Sequence, residues 1–182
     1  LRFQNVLVPR GATIQAAYIE FEVDENTDQN PSALTIKGQA ADNPTTFTTT
    51  ASDISSRAQT TASAAWSPAA WGTVDRKHQT SNLAAVVQEI VNRGGWASGN
   101  SMVFIFTGTG RRVAESYEGE PTNAPFLVIN YVEEVPTTPP TAPSGMTATT
   151  PQANMVHLAW TDNADNESGF ELERSTTGIG GT

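Results

Sequence analysis

Residues 11–25, GATIQAAYIEFEVDE, alternate apolar and polar side chains with a period of two. Ala17, Ile19, Phe21 and Val23 fall on one face, and Tyr18, Glu20, Glu22 and Asp24 on the other. Successive side chains of an extended chain point to opposite faces, so the segment is predicted as a half-buried strand. Such a strand has to lay its apolar face on another layer, and the rest of the chain supplies mostly further strands. ALTIKGQA follows the turn-rich NTDQNPS as a second strand. TASAAWSPAAWGTV is read as a strand interrupted by Pro68, and DNPTTFTTTASDISSR as polar turn structure with one short helical turn. SMVFIFTGTG is apolar on both faces and predicts a strand covered on both sides, and APFLVINYV is a further strong strand.

One segment has the helical period. In SNLAAVVQEIVNRGGW, Leu83, Val86, Val87 and Ile90 stand at i, i+3, i+4 and i+7. Ser81 or Asn82 can cap its start, Arg93 falls in the last turn, and Gly94–Gly95 end it. Strands with one helix packed on an end or face argue for an antiparallel sandwich.

At residues 133–143, EEVPTTPPTAP, four prolines among threonines make an extended linker with little to bury. Charge divides the chain at the same place. The net charge is −9 overall, −3 over residues 1–132 and −6 over residues 133–182. Beyond the linker, strand patterning resumes with Met155, Val156, Leu158 and Trp160 in one run, Phe170 and Leu172 in the next, and TDNADNESG as the turn between.

Two resemblances follow from these residues. Pro143, Met146, Leu158–Ala159–Trp160, the DNADNESGF turn and ELERS resemble the start of a fibronectin type III domain, with Trp160 and Phe170 as the implied core pair. The match spans about 40 residues, whereas a full domain of this fold takes roughly 100. Residues 1–132 resemble the DNRLRE-type jelly-roll domains of bacterial extracellular proteins, which are carbohydrate-binding-module-like. The resemblance rests on LRFQNVLVPRGATIQAAYIEFEV, AAWSPAAW, the helix before a Gly-Trp, SMVFIFTGTG and SYEGEPTNAPFLVINYV. That family often ends with Ser-Arg-Glu before its last strand; Ser116 and Glu118 match, and Tyr117 replaces the arginine. The expected fold is therefore all-β: an antiparallel jelly-roll β-sandwich over residues 1–132 with one amphipathic helix, a linker over 133–143, and an incomplete fibronectin type III-like β-sandwich over 144–182. The chain opens at Leu1 directly on a strand-like run, which predicts a natural N-terminus upstream and a first unit lacking N-terminal strands.

The acidic balance disfavours nucleic acid, since phosphate binding needs a basic surface. No apolar run approaches the ~20 residues that span a bilayer, so membrane insertion is not expected. Cysteine is absent, which removes disulfides, thiolate ligands and thiol nucleophiles. The only histidines are His78 and His157, too few for a multi-histidine metal site, and neither stands in a triad pattern. Phosphate-cradling glycine motifs are missing. Glu20, Glu22 and Asp24 share a strand face, which is what solubility of an outer face requires. The chain is accordingly expected not to be an enzyme.

Binding is the alternative. Trp66, Trp71, Trp96 and Tyr117 are the candidate aromatic platforms for a sugar, Tyr117 standing in the polar turn RRVAESYEGE between two strands. Calcium is the one cofactor the loops could hold, with Glu115, Glu118 and Glu120 as candidate ligands. The expected function is a non-catalytic extracellular or cell-surface module of a larger bacterial protein, with a polysaccharide or cell-surface component as partner. The alternative is a repeat or subunit of a surface fibre or adhesin that joins copies of itself or neighbouring domains by β-strand complementation.

Overall fold

The computed structural model describes residues 1–133 and 139–173. The chain divides into two compact units, Leu1–Glu134 and Val135–Thr182. Both are built of antiparallel strands, and the first adds one α-helix, so the fold is an all-β antiparallel sandwich with a single helix among the described residues.

The first unit is organised around β2 (Thr13–Gln39), a 27-residue strand. Straight, it would run roughly 90 Å, far beyond the width of a domain this size. It bends instead, and its two ends serve different neighbours. The N-terminal part pairs with β6 (Phe126–Val132), from Thr13↔Val132 to Glu20↔Phe126, and with β4 (Lys77–Gln79). The C-terminal part pairs with β3 (Gln59–Trp66) and β5 (Met102–Ala114), and β5 pairs on its far side with β1 (Arg2–Phe3). Between Val23↔Ala114 and Ala33↔Thr109 the register shifts three times, β2 using more residues than β5 each time. Strands that change sheets at a sandwich corner do so through such bulges. NTDQNPS, expected to be a loop between two strands, is therefore the bulged corner of one strand. Its polar turn residues stay paired because β5 runs alongside them.

The alternation expected of residues 17–23 holds on the inner face: Ala17, Ile19, Phe21 and Val23 are all buried. Glu22, expected on the outer face, is buried as well, at 8% exposure, beneath the backbone of Glu115, whose N–H bonds its carbonyl. In β5, Met102, Val103, Phe104 and Ile105 are all buried, so both faces are covered as their apolarity requires. Helix α1 (Ala84–Val91) turns Val86, Val87, Ile90 and Val91 inward. The N-cap is Leu83, without a side-chain cap, rather than Ser81 or Asn82; Asn82 Oδ1, one residue earlier, accepts the N–H groups of both Ala84 and Ala17 and fastens the start of the helix to β2. Gln88 bridges Ile14 N–H and Ala12 C=O, and Glu89 accepts Thr61 and Ala62 N–H, so the helix is tied to β2 on one side and β3 on the other. Arg93 lies beyond the last turn and pairs with Asp42 at 2.6 Å.

Segment 44–57 is turn structure gathered around Arg57. Its guanidinium reaches Gln39 Oε1, Thr45 O, Thr46 O and Asp53, and stacks over Phe47 at 4.7 Å. β6, whose sequence predicts a strong strand, pairs among the described residues only with β2 and leaves Phe126 65% exposed.

In the second unit β7 (Ser144–Gln152) and β8 (Met155–Thr161) form a hairpin. Trp160 and Phe170, the pair the sequence singled out, meet edge to face at 5.3 Å. Phe170–Leu172, expected as a strand, is irregular, and Arg174 and Ser175 of ELERS lie outside the described residues.

Candidate binding site

The corner of β2 meets the end of β5 and the segment after β3 around a cavity of about 310 Å³. Strand register explains who lines it. Phe21 points inward with Ile19 and Val23. Trp66 ends β3 opposite Leu34, and Phe106 stands opposite Ile36 on β5. Pro68 stops β3, and the chain then folds back to place Trp71 beside them. Phe21 and Trp66 stack at 5.7 Å with their planes 13° apart, and Trp71 closes on both at 5.9 and 6.2 Å. Phe106 sets its edge on Phe21 and Trp66. Stacked and edge-to-face contacts at these distances are the favourable aromatic geometries.

Two adjacent arginines of the RRVAESYEGE stretch reach the same place with opposite roles. β5 runs to Ala114, so both belong to the strand rather than to the turn after it. The Arg112 side chain is only 5% exposed. Its five N–H groups meet five acceptors: Ala69 O at 3.0 Å, Gln29 O at 3.2 Å, Arg111 O and Asn30 Oδ1 at 2.7 Å, and Pro68 O at 2.8 Å. Five donors are all a guanidinium has, so none remains for a ligand. Asp28 Oδ1, 3.6 Å away, balances its charge, and Asp28 Oδ2 accepts the Trp71 backbone N–H at 2.5 Å. Arg112 thus sews the β2 corner and segment 68–71 to β5. Arg111, one residue earlier and exposed, bonds Thr27 O through Nε and lines the cavity with no carboxylate within salt-bridge distance among the described residues.

Buried polar side-chain atoms without a hydrogen-bond partner collect here. Asp28 Oδ1, Ser32 Oγ, Trp71 Nε1 and His78 Nε2 all belong to this cluster.

The candidate residues separate accordingly. Trp66 and Trp71 come together as cavity wall but present little open face, at 8% and 2% exposure. Trp96 does not join them: it is core, with Nε1 donating to Val8 O at 2.9 Å. Tyr117 is 69% exposed on the turn after β5 and lies outside the cavity lining. Phe21, Phe106 and Arg111, which complete the site, were not singled out from sequence. Alternation marks Phe21 as core, and nothing local distinguishes a core ring from one that also borders a cavity.

Among the described residues no three Asp, Glu or His side chains converge to hold a metal ion. Glu118 and Glu120 point to solvent. Glu115 has its pKa raised, by desolvation first and then by the like charges of Asp24, Glu120, Glu22 and Asp75. A carboxyl with a raised folded-state pKa contributes most below its ordinary range and loses that contribution as pH rises through the folded value. Glu115→Gln is therefore expected to raise the melting temperature slightly near neutral pH, with the gain vanishing below the carboxylate range. Thermal melts of both proteins across that range check it.

Comparison of the chain with family models, with curated proteins and with solved structures found no match.

Proposed function

We propose that the first unit is a non-catalytic binding module of an extracellular bacterial protein, and that it holds a carbohydrate at the aromatic cavity. The supporting observation is the pairing of an aromatic wall, formed by Phe21, Trp66, Trp71 and Phe106, with the uncompensated donor Arg111 at its edge. Ligand sites are concave and mostly apolar, with a few polar groups that fix orientation. A pyranose ring offers C–H faces to aromatic walls and hydroxyl oxygens to donors. The resemblance of residues 1–132 to extracellular jelly-roll modules agrees with this reading.

Affinity electrophoresis of the full chain in gels containing neutral or acidic polysaccharides is expected to show retardation by at least one class. Arg111→Ala should weaken that binding about tenfold, the loss of a charge-assisted hydrogen bond. Its melting temperature should stay unchanged, because the side chain is exposed. No retardation in any gel would sink the carbohydrate assignment.

A second reading, a fibre or adhesin subunit joined by strand addition, has one observation in its favour. β6, FLVINYV, carries no charge, proline or glycine, and natural sheet edges use these to discourage pairing. Electron microscopy showing only separate monomers at high concentration would count against it.

A further inference from the structure

The aromatic cluster contains one titratable ring, the imidazole of His78. His78 is the middle residue of β4, held opposite Phe21. Its imidazole lies face to face with Trp71, at 5.2 Å and 17° between planes, and its Nε2 is buried without a hydrogen-bond partner. Trp71 is also fixed through its backbone, by Asp28. The charges that act on His78 come from each neighbouring element: Asp28 on β2, Arg112 on β5, and Arg76 beside it in the chain.

An imidazolium here would be repelled by two guanidinium groups, those of Arg76 and Arg112. The one anion acting on it is Asp28, whose Oδ1 accepts no hydrogen bond. The same carboxylate holds the Trp71 N–H through Oδ2, so a charge on His78 and the Trp71 backbone draw on one group.

We propose that His78 is a pH-sensitive latch on the aromatic cavity. As a neutral ring it packs Trp71 against Phe21 and Trp66; after taking a proton from solvent it claims Asp28, and the Trp71 backbone is released. Segment 67–71 then loosens and the cavity wall with it. Burial first, and Arg76 and Arg112 next, hold the His78 pKa below the ordinary histidine range, with Asp28 acting in the opposite sense. For a base with a lowered folded-state pKa, the stabilising contribution is complete above the ordinary value of about 6.5. It is lost as pH falls through the folded value, so the latch opens toward acid.

The test needs no ligand and is independent of the carbohydrate reading. In the labelled full chain, His78 is titrated by NMR from about pH 7.5 to about pH 4.5, and exchange of the Trp71 backbone amide is followed over the same range. After correction for intrinsic base catalysis, Trp71 exchange is expected to rise about tenfold or more as His78 protonates, while the Val103 amide in the core stays protected. The rise should vanish in His78→Phe, which keeps a stacked ring without a titrating nitrogen. Asp28→Asn should move the His78 titration to lower pH, because the imidazolium loses its anion. Trp71 exchange that ignores the His78 titration, or a rise that persists in His78→Phe, overturns the proposal. If His78→Phe does not fold, His78→Gln is read by the same two outcomes.

Discussion

Arg112→Met is expected to destabilise the first unit by about 3–5 kcal/mol, because it strands Asp28 as a buried charge and leaves carbonyl acceptors unmet. That corresponds to a fall in melting temperature of roughly 10–20 °C for a domain of this size. The side chain is 5% exposed and satisfies acceptors on three separate pieces of chain: the β2 corner, segment 68–69 and β5 itself. Arg112→Lys should recover only a minority of the loss, since three rotatable donors on a point charge cannot reproduce the planar five-donor fork. Urea titration of the three proteins, with Arg111→Ala as the neutral neighbour, measures the difference. An Arg112→Met protein as stable as the parent would refute the role assigned to this side chain.

Gly108→Ala should be nearly as damaging, at roughly 2–5 kcal/mol, from backbone strain and overpacking together. Gly108 has φ +138°, a conformation L side chains rarely adopt. A Cβ there would run into Ala33 O and approach Leu34 Cα to 2.9 Å, both backbone atoms of the strand it pairs with. Neither partner can swing aside as a side chain could, so β2 and β5 would have to part beside the corner. Gly72→Ala is the matched control. Nothing lies within 4 Å of its Cβ position, and its stability should change by no more than ~0.5 kcal/mol. Equal melting temperatures for the two variants would contradict the close approach.

The parts of the fold legible in the sequence are those set by local periodicity. Ile19, Phe21 and Val23 declare an inner face at spacing two, and Leu83, Val86, Val87 and Ile90 declare another at helical spacing; the structure buries all seven. The β2 corner was misread because NTDQNPS carries every turn signal. Only β5, some 80 residues later in the chain, keeps it paired. Arg111 and Arg112 are indistinguishable as letters. Strand alternation sends one to solvent and the other under segment 68–69, and the register that decides which is a tertiary fact. The tryptophans were legible as candidates, but Trp96 joins the core and Trp66 and Trp71 a cavity according to where β3 stops. The histidine that stacks on Trp71 gave no signal beyond standing in a polar run.

The sharing of β2 between two sets of partners bears on how the unit assembles. Residues 13–39 leave the ribosome before every strand they pair with, at residues 59–66, 77–79, 102–114 and 126–132. Pairing across such sequence separation requires large loops to close before it is rewarded, which slows folding. The layer of β3, β5 and β1 waits for residues 102–114, and the layer that pairs with the N-terminal part of β2 waits for residues 126–132. Through that interval the alternating apolar face of β2 is uncovered, and Glu20, Glu22, Asp24 and Glu25 are the charges that keep the nascent strand from pairing with its neighbours.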